Sequence, residues 1–416
     1  MRSATILCST LFLLLTACGG NTPAPETTVT AEAAPAEPEL NSLSFVSHRV
    51  VEDAKWWWAL TISDVTNDGL QDIVYINNNA NGGHLAFRAG NKEGGLWETT
   101  IVAEAPPTGG TFAAGDLETG DMDGDGDQDI LAVKHTGEWD DAGDSAELFY
   151  YENPSWAPHA IGEAKDAVKD LSIGDFDGDG RNDLAVLTFD ESILRIHHQQ
   201  PDGSFKMVQD ITQKSLHEGM DLGDIDGDGD LDIAANGFVF MNPGGGDLTG
   251  DWKIETINEK WNTQTGDWSA NGTKSFIAEF IPGKPVIFMT HSERAGFPLA
   301  FYERRDDGSG YTETIILPEL PAAHTLQVFD MDLDGDLDIV TGINPARATN
   351  LEPRIDHAEV MVLINNGIEK WGQKIIEVDG IYNGRVADFE GDGDYDIFRY
   401  PNHEAEELFL IENQVK

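Results

Sequence analysis

Six nine-residue stretches place acidic side chains at alternate positions around a glycine: DVTNDGLQD from Asp64, DMDGDGDQD from Asp121, DFDGDGRND from Asp175, DIDGDGDLD from Asp224, DMDLDGDLD from Asp330 and DFEGDGDYD from Asp388. They hold 27 of the chain's 75 acidic residues, a crowding of like charge that is unfavourable without a counter-ion. Positions 1, 3, 5 and 9 offer side-chain oxygens and position 7 a carbonyl, a donor set suited to a hard cation with many flexible ligands. The side chains concerned are Asp64, Thr66, Asp68 and Asp72; Asp121, Asp123, Asp125 and Asp129; Asp175, Asp177, Asp179 and Asp183. The later loops offer Asp224, Asp226, Asp228 and Asp232; Asp330, Asp332, Asp334 and Asp338; and Asp388, Glu390, Asp392 and Asp396. Calcium fits this set best, with about six mainly structural sites, one per loop. Glycine at position 6 permits the tight turn. The first loop, with Thr66 at position 3 and Leu70 at position 7, is expected to bind most weakly.

The elements that position these loops follow from what surrounds them. An apolar, β-rich run leaves each loop at once, as in DIVYI, DILAV, DIVTG and DIFRY, so the loop feeds a strand. The loops start 57, 54, 49, 106 and 58 residues apart. The long gap spans two periods, and IAEFIPGKPVIFM near residue 279 has the shape of a repeat without ligands. Seven repeats of several short strands predict an all-β, seven-bladed β-propeller of four-stranded blades. The seventh repeat stops after ELFLIENQVK, one strand short, and LSFVSHRVVEDA at residues 43–54 is a spare strand, so the N-terminus is expected to complete the last blade and close the ring.

The D-x-D-G-D-G-x-x-D loops, strands of the ELFYYEN type and the count of seven resemble the FG-GAP/VCBS repeat family, which includes the calcium-binding propeller of integrin α chains. The resemblance spans roughly residues 43–416 and implies calcium in the loops. It specifies activity poorly, because one fold hosts many functions.

The N-terminus reads as an export signal. Residues 1–18, MRSATILCSTLFLLLTAC, carry an Arg, an apolar run too short to span a bilayer as a mature helix, and an ending that resembles a bacterial lipobox. The resemblance implies a signal peptide over 1–17, lipidation at Cys18, and, with Gly19 next, delivery to the outer membrane of the cell envelope. Residues 18–40, rich in Thr, Pro, Ala and Glu, form the lipidated Cys and a flexible tether, and 41–416 the propeller. Cys8 leaves with the signal, so the mature chain has neither a free thiol nor a disulfide.

With 26 basic residues against 75 acidic ones, the net charge is −49, which excludes a nucleic-acid binder and leaves the lipid anchor as the expected membrane contact. Several of the scarce cations, and over half of the imidazoles, fall on segments that end opposite the metal loops. Six of the eleven His lie there: His135, His217, His291, His324, His357 and His403, with Lys134, Glu218, Lys274, Glu293, Arg294, Arg347, Arg354, Asn383, Arg385 and Arg399. A concave mouth lined by such groups is the candidate binding site. Trp56 and Trp58 flank Trp57 at the entry to the first strand, and Trp139 lies in a long loop; at least one of the triplet belongs to the core, while an aromatic platform beside His and Arg would suit a sugar ring bearing a carboxylate or sulfate.

The expected function is therefore a monomeric propeller that binds an extracellular polysaccharide or protein through the loop-free face. The alternative is a carbon–oxygen lyase or dehydratase acting on an acidic or oxidised sugar there. MTHSER at 289–294 and AHTL at 323–326 resemble segments of bacterial FG-GAP proteins related to the propeller of a fungal aldos-2-ulose dehydratase. That resemblance makes His217, His291 or His324 the candidate base, with Lys274, Arg294 or Arg385 steadying the enolate. A hydrolase elbow G-x-S-x-G and a phosphate-binding glycine loop do not occur in the sequence.

Overall fold

A computed structural model describes residues 43–54, 56–57, 59–77, 83–135, 146–189, 191–266, 268–348, 357–367 and 370–415. Cys18, the tether, Trp58, Trp139 and Arg354 lie outside the described residues.

Seven four-stranded antiparallel sheets follow one another in chain order. Blade 1 runs from Leu60 to Ala103, blade 2 from Glu118 to Ala164, blade 3 from Val168 to Thr212 and blade 4 from Asp221 to Thr256. Blade 5 runs from Thr273 to Leu317, blade 6 from Thr325 to Glu377, and blade 7 from Asn383 to Asn413. The fourth strand of blade 7 is Phe45–Val51, which pairs antiparallel with Leu408–Asn413 from Phe45 opposite Asn413 to Arg49 opposite Phe409. The expected closure is therefore present: the last blade's third strand has no open edge.

The sequence dictates the radial order within a blade. Second and third strands such as Asp72–Ile76 and Val360–Asn365 are buried on both faces and read as near-continuous apolar runs. Fourth strands such as Thr99–Ala103 and Trp371–Glu377 carry polar residues outward and are half exposed. Between blades lie apolar layers with Trp57, Tyr75, Tyr151, Trp261, Tyr302 and Tyr400 among the largest buried side chains. Trp57 stacks on Tyr75 with ring centroids 3.6 Å apart, so this member of the tryptophan triplet is core.

A repeated latch joins neighbouring blades. The Asn or Gln at the end of a third strand donates through its backbone N–H to the ninth-position aspartate of its own blade: Asn153 to Asp129 and Asn242 to Asp232 at 2.8 Å, Asn413 to Asp396 at 2.9 Å. Its side-chain amide donates to a carbonyl in the preceding blade's acidic loop: Asn153 to Val65, Asn242 to Phe176 and Asn413 to Met331, each at 2.8 Å. This explains the Asn in the ELFYYEN-type strands.

Candidate functional site

The acidic loops connect first to second strands in six blades and so share one face of the ring. In each, the first aspartate caps the turn by accepting backbone N–H groups. Asp121 accepts from Gly124, Asp125 and Gly126 at 2.7, 3.1 and 3.1 Å, and Asp175 from Asp179 and Gly180 at 3.0 and 2.8 Å. The position-6 glycine takes the left-handed conformation, as at Gly126 with φ 97°. Carboxylate oxygens of Asp121, Asp123 and Asp129 lie within 4.8 Å of one another, as do those of Asp175, Asp177 and Asp183 and those of Asp224, Asp226 and Asp232. Burial pushes the ninth-position carboxyls up, Asp129 to about 6 and Asp232 and Asp338 to about 7, because no positive side chain offsets it. Oxygens of Asp127, Asp332, Glu390 and Asp394 are buried without a hydrogen-bond donor. Converging oxygens with unmet negative charge fit a hard divalent cation.

Blade 5 departs from this pattern in an informative way. Its second strand opens with Lys284 where the other blades have aspartate. The ammonium lies 3.0 Å from Glu303 and 2.9 Å from Asp306, so a tethered cation sits in the blade that has no acidic loop.

The other face holds the second cluster. All first strands run from the loop-free mouth toward the acidic loops, so their opening residues line that end of the channel. A cavity of about 210 Å³ opens there, with Asp116, Glu118, Lys169, Asp170, Asp221, Lys274, His324, Tyr382 and Arg385 in its wall. Three of the carboxylates have a structural task. An innermost strand is a sheet edge with unpaired N–H groups. Asp116 accepts from Leu171 N–H at 3.2 Å, Asp170 from Met220 at 3.0 Å and from Gly219, and Asp221 from Ile277 N–H and, at 3.0 Å, Leu222 N–H. Each thereby ties its blade to the next. Burial pushes Asp116 up to about 6 and Asp221 to about 7, and Glu118 well above the ordinary range.

The residues expected at this mouth separate into groups. Lys274, His324 and Arg385 line the cavity, and Arg385 also donates to the Leu60 carbonyl at 3.0 Å. Buried beside it, Glu218 pairs with Lys169 at 2.8 Å and accepts from Ser292 Oγ, while Glu293 pairs with Arg347. His291 is fully buried and committed to backbone: Nε2 lies 3.1 Å from the Ala270 carbonyl, and Nδ1 accepts from Glu293 and Arg294 N–H at 3.2 Å. His217 packs on Phe189 with centroids 4.8 Å apart. Arg294 donates to Ser269 Oγ at 3.3 Å. Lys134 and His135 end a strand of blade 2. Lys134 pairs with Glu147 at 3.0 Å, and His135 Nε2 accepts from Val168 N–H at 3.1 Å, so both tie local structure together. Trp56 stacks loosely on His403, whose ring lies 3.9 Å from that of Tyr382.

His324 stands in the cavity wall. Its ring packs 4.3 Å from Tyr382, it is 8% exposed, and its Nδ1 is buried without a hydrogen-bond partner. Burial, with Lys274 next in effect, holds it well below the ordinary imidazole range, so it is neutral. Sequence reasoning missed Lys169, Tyr382 and the carboxylates Asp116, Glu118, Asp170 and Asp221. The Asp-Leu pair upstream of three successive acidic loops, at Asp116, Asp170 and Asp221, was the available signal. Four carboxylates and three cations share the wall, and burial pushes three of the four carboxylates toward their neutral forms.

The model of an FG-GAP-like repeat matches three consecutive stretches, residues 64–132, 121–186 and 175–235. No curated protein sequence matches the chain. Among solved structures, BBS1N in complex with ARL6DN, from a mercury-soaked crystal, is similar with a TM-score of 0.51 at 9% identity, over 89% of this chain and 95% of that one. Sqt1 of Saccharomyces cerevisiae is similar with a TM-score of 0.52 at 9% identity, over 90% of this chain and 100% of that one. At such identities the likeness concerns the fold alone.

Proposed function

Since the chain carries FG-GAP-like repeats on a seven-bladed propeller, we propose that it is a calcium-binding, lipid-anchored binding propeller of the bacterial cell envelope. Its extracellular ligand, a carbohydrate or a protein group of similar size, binds at the channel mouth opposite the acidic loops. The observation that carries this reading is the cavity itself. Charged and aromatic side chains from several blades converge there in a space of about 210 Å³, room for one sugar ring. That BBS1N was crystallised with ARL6DN supports protein recognition by a fold of this kind. Lipidation of Cys18 is tested directly: Cys18→Ser would move the protein from the membrane to the soluble fraction.

A second reading is favoured by His324. A neutral, buried imidazole beside Lys274 and Tyr382 has the parts of an eliminating site: His324 to take the proton from the carbon acid, and Lys274 to steady the enolate. Of the three candidate bases, His324 is best placed, because it lines the cavity wall, which His217 and His291 do not, and His291 also spends both ring nitrogens on the backbone. One experiment separates the readings. The calcium-loaded chain is incubated with neutral and keto-sugars, uronate polysaccharides and sulfated glycans while ultraviolet absorbance and thermal stabilisation are followed. Stabilisation without a new absorbance supports the binder. A growing enone band that His324→Ala abolishes supports the enzyme. Neither effect with any sugar, together with a protein partner that maps to the outer blade edges, overturns both.

A further inference from the structure

The sequence groups Arg399 with the cations of the loop-free rim, but the structure sets it apart from the channel. It lies in the second strand of blade 7, Asp396–Tyr400. Its guanidinium sits over the Phe409 ring, 5.5 Å from the centroid, and its Nε donates to the Gly380 carbonyl at 2.8 Å. The residue is 4% exposed, and its Nη2 is buried without a hydrogen-bond partner. A buried charged donor without an acceptor is costly. Arg399 forms part of the wall of a hollow of about 520 Å³ between blades 6 and 7, which shares no lining residue with the channel cavity. That size suits a small molecule. The rim is acidic. Asp379 comes from the connection between the two blades, and Glu404 and Glu406 from the segment that follows Tyr400. All three are exposed, and among the described residues none has a cation partner. A fourth carboxylate, Glu407, is taken up by Arg49. One buried cation thus stands beside three free carboxylates.

We propose that this hollow binds a basic α-amino acid, free or as the last residue of a peptide. The ligand carboxylate meets the open donor of Arg399, whose planar fork of N–H groups suits a carboxylate. The side-chain ammonium, joined in the free amino acid by the α-ammonium, meets Asp379, Glu404 and Glu406. Charge selects for both features. The rim repels a plain carboxylate, and a plain amine leaves the guanidinium without an acceptor. The inference stands apart from the channel mouth: either site can fail while the other binds.

The test is isothermal titration calorimetry on the full chain in calcium, at about 0.15 M salt, which screens the long-range pull of a net charge of −49 on any amine. L-Lysine, a peptide ending in lysine, the C-terminal amide of that peptide, cadaverine and hexanoate are compared. The expected result is one equivalent of lysine or of the free-acid peptide, the tighter of the two naming the source. The amide, cadaverine and hexanoate should each bind more than about tenfold more weakly. Arg399→Gln should abolish binding and Arg399→Lys restore part of it. The double variant Glu404→Gln with Glu406→Gln, at exposed positions, should weaken binding more than about tenfold with an unchanged melt, and it carries the test if Arg399→Gln loses its native melt. No heat with lysine or the peptide, cadaverine as tight as lysine, or binding that survives the double variant overturns the proposal.

Discussion

Single residues in this protein divide into those that satisfy backbone and those left available for ligands, and the difference decides which substitutions matter. Leu333 takes the fourth position of its acidic loop with φ 59°, where the second, third, fourth and seventh blades place glycine, and its side chain is 45% exposed. A left-handed β-carbon costs about 1–2 kcal/mol, and glycine returns part of that gain in chain entropy. Leu333→Gly is therefore expected to stabilise the calcium-loaded protein by up to about 1 kcal/mol in denaturant unfolding. Asp221 gives a pH signature. Burial raises its folded pKa to about 7, above the ordinary carboxylate value, so the protonated form favours folding. That contribution is complete in acid, below the unfolded pKa, and is lost as pH rises through about 7. In saturating calcium, Asp221→Asn should flatten the fall in stability across that range. An unchanged pH profile would show that Asp221 is ionised throughout. At this scale the sequence was only partly legible. The acidic loops announce themselves by spacing, whereas nothing in the types of His291 and His324 tells that one is bound to backbone and the other faces a cavity.

At the scale of elements, blades are held to their neighbours through the latch as well as through apolar packing. Asn242 joins its own ninth-position Asp232 to the Phe176 carbonyl of the loop before, and it is 8% exposed. Asn242→Ala strips the partner from a buried carbonyl and is expected to cost about 1–3 kcal/mol, read as a lower denaturant midpoint with unchanged slope. A loss below a few tenths would mean that water takes over the bond. Blade 5 lacks the acidic loop and instead pairs Lys284 with Glu303 and Asp306 within the chain. The blade count and the closing strand were legible because both are matters of bookkeeping: a repeat period, a missing fourth strand at one end and a spare one at the other. The latch was not, because it depends on register between blades, and register across an interface leaves no periodic trace in one strand's sequence.

For the whole molecule the governing quantity is the net charge of −49. Six loops of clustered carboxylate carry like charge, and the proposed cations, binding only the folded loops, would add stability by mass action. At free calcium of 100 times the dissociation constant the gain is about 2.7 kcal/mol per site. Chelation should lower the melting temperature steeply, and added monovalent salt should restore part of the loss by screening. A melt that ignores chelator would remove calcium from the account. The ring was readable from sequence; the balance of charge inside its channel was not, because it is set by first-strand residues that become neighbours only when seven blades close. The central claim is that one face holds metal and the other holds ligand. The most direct measurement is a crystal structure of the calcium-loaded protein soaked with a ligand that stabilises it. The account predicts cations in the acidic loops and the ligand among Lys274, His324, Tyr382 and Arg385. A ligand seated on the acidic loops, bridging their cations, would contradict it.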